Sequence, residues 1–95
     1  MKKNKLENIS QDWSLIDGQG LIRVVPIDAY KTGFILIANV GILADKYQYY
    51  PDLLLSREKV TITIDDKNET KAYAIAAKID EILQDKHLTE YQQAS

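Results

Sequence analysis

Ala44-Asp45-Lys46-Tyr47-Gln48-Tyr49-Tyr50-Pro51-Asp52-Leu53-Leu54-Leu55-Ser56-Arg57-Glu58-Lys59-Val60-Thr61-Ile62-Thr63-Ile64 takes the chain from the end of a helix, through an aromatic turn, into two short strands. Pro51 fixes this reading, because the residue before a proline is pushed out of the helical basin and the apolar run upstream must end there. Downstream, Leu53-Leu54-Leu55 with Arg57 reads as one strand. Lys59 to Ile64 is the cleanest strand in the chain: Val60, Ile62 and Ile64 alternate with Thr61 and Thr63. That period of two marks a strand with one face buried. Burying the three aliphatics is expected to contribute about 1.5–3 kcal/mol each.

Upstream, Trp13 to Asp17 has strand character, and the glycines of Gly18-Gln19-Gly20 permit the positive φ of a turn. Leu21 to Ile27, rich in β-branched residues, is expected to pair back as a hairpin, with Pro26 near its end because proline cannot donate to a ladder. Asp28 reads as an N-cap, followed by a helix from about Ala29 to Lys46. Tyr30, Phe34, Ile37, Ala38, Gly41 and Ala44 or Asp45 form the stripe expected to cover the sheet. Ile35, Leu36, Ile42 and Leu43 fall off that stripe. A helix apolar nearly all round is buried on both sides, and in a chain this small the second side is most simply another subunit.

Downstream, Asp65-Asp66-Lys67-Asn68 is a polar turn ending in a capping residue. A last helix is expected from about Glu69 to Asp85, burying Ala72, Ile75, Ala76, Ile79, Ile82 and Leu83 and pointing Lys71, Lys78, Asp80 and Glu81 to water. Residues 1–11 read as a loose arm, 12–85 as the domain and 86–95 as a tail. The order strand, strand, helix, strand, strand, helix implies a two-layer α+β domain: an antiparallel four-stranded sheet with helices on one face.

Ninety-five residues suffice for one core. A net charge of −2 supplies no basic field for nucleic acid or an anionic membrane, and Lys2, Lys3 and Lys5 are too few to make one. The chain has no cysteine, which removes disulfides and thiolate chemistry. The basic N-terminus runs into polar residues rather than an apolar run, unlike a signal peptide. Phe34 to Ala44, interrupted by Asn39, is shorter than the roughly 20 residues a membrane helix needs. The expected location is the cytoplasm. Asp65-Asp66, without further ligands nearby, reads as a solvated turn and not a metal site. No cofactor is expected.

Trp13, the strand Leu21–Ile27, the helix around Phe34, Ala44-Asp45-Lys46, Pro51-Asp52, Lys59 to Ile64 and Ile75-Ala76-Ala77-Lys78-Ile79-Asp80, in this order and spacing, resemble the pterin-4a-carbinolamine dehydratase family. The resemblance implies the ββαββα fold. It also implies dehydration of a 4a-hydroxytetrahydropterin by histidines, set in Glu-Lys-x-x-His-His-Pro and in a Thr-His after the last strand. Carried onto this chain, the paired histidines fall on Tyr49 and Tyr50 and the third falls at or near Lys67; the acidic residue before the lysine survives as Asp45. Acid–base work at neutral pH needs a pKa near 7. Histidine has one near 6.5, whereas tyrosine lies near 10 and lysine near 10.4, and a three-unit shift costs about 4 kcal/mol. The single histidine, His87, reads as an exposed tail residue.

Tyr50-Pro51-Asp52-Leu53, Arg57 and Val60 to Ile64 further resemble the dehydratase-like RuBisCO assembly factors found beside α-carboxysomes, which keep the fold and lack the histidines. Leu54-Leu55-Ser56 departs from the aromatic-glycine pair of that group. This second resemblance implies a non-catalytic homodimeric chaperone whose partner is the RuBisCO large subunit. The candidate partner-binding residues are then Tyr47, Tyr49, Tyr50 and Arg57. The tyrosines read equally as a contact patch or as packing for the turn. The alternatives are an active dehydratase using Asp45 and Tyr50, and a dimerisation cofactor of another protein.

Overall fold

The computed structural model describes residues 9–84. The strands are β1 (Ser14–Ile16), β2 (Gly20–Pro26), β3 (Asp52–Leu55) and β4 (Lys59–Ile64), and the helices are α1 (Tyr30–Tyr47) and α2 (Glu69–Gln84). The strands form one antiparallel sheet in the order β1-β2-β4-β3. This is the α+β architecture the strand periods imply. Pro26 closes β2, as its missing N–H requires. Asp85, the expected last helical residue, and His87 lie outside the described residues.

Register sets the core. Leu21 of β2 faces Ile64 of β4 and Val25 faces Val60, and Leu21, Val60, Ile62 and Ile64 are completely buried. Leu36 and Val40 of α1 and Ala72, Ile75, Ala76 and Ile79 of α2 close over them. Two glycines allow the close approaches. Gly20 has φ +103, and a Cβ there would collide with the Ile64 carbonyl oxygen. Gly33 lies where α1 meets the sheet, so a Cβ would run into the Leu55 and Ile27 side chains.

Three expectations are corrected. First, α1 is rotated from the expected orientation: of the expected core stripe Ala44 is buried and Ile37 packs against the core, but Tyr30, Phe34, Ala38, Gly41 and Asp45 are exposed, and Thr32, Gly33, Leu36 and Val40 are buried in their place. Close packing on a sheet favours small residues at the contact, which Gly33 and Ala44 supply. The rings of Tyr30 and Phe34 instead pack edge to face on each other outside, centroids 5.4 Å apart. Second, Asp28 does not cap α1. The N-cap is Ala29, extended at φ −136 and ψ 142 with no side-chain cap bond, and its carbonyl accepts from Thr32 N at 3.0 Å. Asp28 stands one residue too early for its carboxylate to reach those amides.

Third, Asp80 does not point to water, and the end of the expected N-terminal arm is not loose. Asp80 is buried, as are Ile9 and Trp13. Its Oδ2 accepts from Ser10 N at 2.7 Å, and its Oδ1 accepts from Trp13 Nε1 at 2.7 Å and from Arg23 at 2.5 Å. Arg23 also reaches exposed Asp12 at 3.2 Å. The Arg23 and Asp80 side chains are only 14% and 9% exposed, so the pair is desolvated. Removing one member of such a pair leaves a buried, uncompensated charge. Asp80→Ala is therefore expected to cost about 3–5 kcal/mol, read as a fall in the urea midpoint at pH 7. A loss below about 1 kcal/mol, typical of a surface pair, would show that the pair is effectively solvated.

Candidate functional site

The site lies at the end of the sheet where α1 stops and β4 enters α2. Gln48 closes α1 in the left-handed region at φ 54 and ψ 44. Gln48 N donates to the Asp45 carbonyl at 3.3 Å and Tyr49 N to the Ala44 carbonyl at 3.2 Å. These two bonds make the Schellman closure of a helix end, and they set the directions of Tyr49 and Tyr50.

Tyr49 turns inward. Its hydroxyl accepts from Asn68 N at 3.1 Å and has two acceptors for its own proton, Asp65 Oδ1 at 2.7 Å and the Asp65 carbonyl at 2.9 Å. Asp65 Oδ1 also accepts from Lys67 N at 3.1 Å, and Asn68 Oδ1 caps α2 by accepting from Lys71 N at 3.1 Å. One phenol thus stitches the α1–β3 turn to the β4–α2 turn. Burial pushes the Tyr49 phenol above its ordinary pKa; the hydrogen bond to Asp65 and the charges of Asp65 and Asp66 add to this, and the Asn68 N–H opposes it. Asp65 is held below the usual carboxylate range, first by the Tyr49 hydroxyl and then by the Lys67 N–H. At neutral pH the phenol is a fixed donor to a carboxylate, the reverse of a group poised to exchange protons.

Asp65 Oδ1 brings the Tyr49 hydroxyl and the Lys67 backbone N–H together. The four partner-binding candidates do not form one patch. Tyr47 packs against the core and lines an open groove of about 580 Å³ with Leu43, Lys46, Lys78, Glu81 and Ile82. Tyr50 stands 62% exposed at the start of β3. Arg57 is exposed in the β3–β4 turn, where Ser56 N donates to the Lys59 carbonyl at 2.8 Å. The whole of β3, four residues and about 13 Å long, lies between Tyr50 and Arg57. Sequence reasoning missed Asp65 and Asn68 as partners of Tyr49. The available signal was their placement before a helix, since short polar side chains there bond to nearby groups.

Comparison with known proteins sets these positions in context. No family model matches the chain. A protein of Alkaliphilus metalliredigens named "Putative pterin-4-alpha-carbinolamine dehydratase" is 31% identical over 83 residues, covering 82% of this chain and 74% of that protein. The chain belongs to the pterin-4a-carbinolamine dehydratase family. A crystal structure from Brucella melitensis, described as a transcriptional coactivator/pterin dehydratase, has the same fold at a TM-score of 0.72. It is 20% identical, and the match covers 84% of this chain and 89% of that one. Among the described residues no helix is long and apolar enough to cross a membrane.

Tyr49→Phe removes the stitch and keeps the ring. The expected loss is about 0.5–1.5 kcal/mol at pH 7, the net worth of such bonds. The pH dependence follows from the two shifts. Asp65, depressed in the fold, contributes stability above its unfolded pKa that is lost as pH falls through the folded value. Tyr49, raised in the fold, contributes stability below its unfolded pKa that is lost as pH rises through the folded value. The wild-type advantage over the variant should be flat from about pH 5 to 9 and shrink outside that window. Denaturation series at several pH values check this; an advantage that grows toward acid would contradict the assignment.

Proposed function

We propose that this chain is a catalytically silent member of the family that acts through protein–protein contacts. The observation carrying this reading is Tyr49: where the family motif calls for a histidine, the chain places a phenol whose hydroxyl is bonded into the opposite turn. Tyr50 and Lys67, at the other two family positions, also lack a side chain with an ordinary pKa near neutrality. Loss of acid–base groups with retention of the fold leaves contact as the remaining use of the surface. Tyr50 and Arg57 are the contact residues proposed, since tyrosine and arginine are enriched among binding hot spots. Because they lie at opposite ends of β3, a partner touching both runs along that strand, over Leu54, which is 62% exposed. The specific partner proposed is the RuBisCO large subunit, on the likeness of Tyr50–Leu53, Arg57 and Val60–Ile64 to the assembly factors.

A second reading is supported by the name of the Alkaliphilus relative: a working dehydratase with Asp45 and Tyr50 as its acid–base pair. The two separate in one assay, the loss of a 4a-hydroxytetrahydropterin against its spontaneous dehydration. The silent reading expects the uncatalysed rate. A rate matching a histidine-bearing family member, abolished by Tyr50→Phe, would establish the second reading instead.

The contact surface has its own test. Tyr50→Ala and Arg57→Ala are expected to melt like wild type, because exposed substitutions stay within about 0.5 kcal/mol. Each should weaken capture of purified RuBisCO large subunit. Normal melting with undiminished capture would remove the β3 surface from the proposal, and absence of capture by wild type would remove RuBisCO.

A further inference from the structure

Tyr47 takes no part in the stitch at Asp65 or in the contact surface along β3. It is the last residue of α1, and like Leu43 and Ile82 it is half-buried and packs against the core. Its hydroxyl has no hydrogen-bond partner among the described residues. These three side chains line the open groove of about 580 Å³ together with Lys46, Lys78 and Glu81. The three charged residues are exposed, so the groove has an apolar floor and a charged rim.

The rim carries two ammonium groups and one carboxylate. Lys78 Nζ lies 3.5 Å from Glu81 Oε1, and the two side chains are 46% and 67% exposed. A pair so open to water is weak and readily exchanged. Lys46 has no ion pair among the described residues. A lysine in the last turn of a helix can bond to the terminal carbonyls, but those of Ala44 and Asp45 already accept from Tyr49 N and Gln48 N. The groove thus holds one positive charge in excess, over apolar surface and with a phenolic donor beside it. A single anionic head matches that excess.

The walls are short. Leu43 to Tyr47 and Lys78 to Ile82 each cover about 6 Å of helix axis. A partner helix anchored at i, i+4 and i+7 spans about 10 Å and would overrun both. The volume instead falls among small-molecule sites, which run from about 300 to 1,000 Å³.

We propose that the groove between the last turns of α1 and α2 binds an organic monocarboxylate with an apolar body. The body lies on Leu43 and Ile82, and the carboxylate sits between Lys46 and Lys78 with the Tyr47 hydroxyl as a third donor. Binding draws Lys78 away from Glu81, so Glu81 opposes it. The groove shares no residue with Tyr49, Tyr50 or β3, so its ligand is independent of whether the chain dehydrates pterins.

Titration of the full isotope-labelled chain with octanoate, followed through the backbone amide chemical shifts, tests this. Saturable shifts are expected in the low millimolar range, confined to the amides around Leu43–Tyr47 and Lys78–Ile82. Octanamide, which keeps the body and lacks the charge, should bind about threefold more weakly, and octylammonium more weakly still. Lys46→Ala and Lys78→Ala should each lower octanoate affinity about threefold. Glu81→Gln should raise it, which a merely structural role would not do. All three side chains are exposed, so the helical circular dichroism of the variants should match wild type. Failure of octanoate to saturate overturns the proposal, as do shifts centred elsewhere on the chain. Equal binding of the three head groups, or affinities that the three variants leave unchanged, would reduce the groove to apolar contact and overturn the carboxylate assignment.

Discussion

The fold depends on the carboxylate of Asp80. It lies on α2, beneath the sheet, and collects the Ser10 amide, the Trp13 indole and the Arg23 guanidinium. Arg23 occupies an inward position of β2 between Leu21 and Val25, where an aliphatic side chain would ordinarily sit. Burying either charge alone would be prohibitive, so each ties the other's element in place. The apolar face of α2 is made partly of alanines, Ala72 and Ala76, which interdigitate weakly and tolerate sliding. A buried ion pair has one acceptable geometry, and it fixes the helix on the sheet in a way the small apolar residues do not. One cost remains visible: Arg23 Nε is buried with no hydrogen-bond partner.

Much of this architecture was legible in the residues, and the failures have identifiable causes. The alternation of Val60, Ile62 and Ile64, the glycines around Gln19 and the polar turn at Asn68 each have a local physical meaning, and those elements sit where that meaning puts them. The orientation of α1 had no such signal. Its hydrophobic pattern has two apolar sides, and periodicity identifies a face without saying whether it looks inward. Asp80 was hidden differently, since beside Glu81 it looks like part of a solvated edge. The readable clues lay far away in sequence. A buried tryptophan needs a partner for its N–H, and an arginine in phase with Leu21 and Val25 needs an acid inside.

The candidate site divides in the same manner. The resemblance to the dehydratases pointed to the turn at Tyr49 and Tyr50 and to the loop at Lys67, and the Tyr49 hydroxyl bonds into that loop. It did not indicate which way each tyrosine points. The helix closure at Gln48 decides that, sending Tyr49 in to Asp65 and Asn68 and leaving Tyr50 in solvent. Neighbouring residues of one type thus have unlike surroundings: Tyr49 is a crosslink between turns, and Tyr50 stands exposed to solvent.

The strand order has a consequence for how the chain reaches this state. The central ladder joins Leu21–Pro26 to Lys59–Ile64, so the whole of α1 and β3 must be accommodated before the two middle strands can zip. The β3–β4 and β1–β2 hairpins close over only a few residues and are quick; the central pairing bears the larger entropy of loop closure. The Asp80 contacts span still greater distances along the chain, 57, 67 and 70 residues. Contacts of that span carry a larger closure entropy than either hairpin. If they form after the rate-limiting step, their loss raises the unfolding rate and leaves the folding rate unchanged. The segment from Ile9 to Trp13 thereby latches one end of the chain onto the helix nearest the other end.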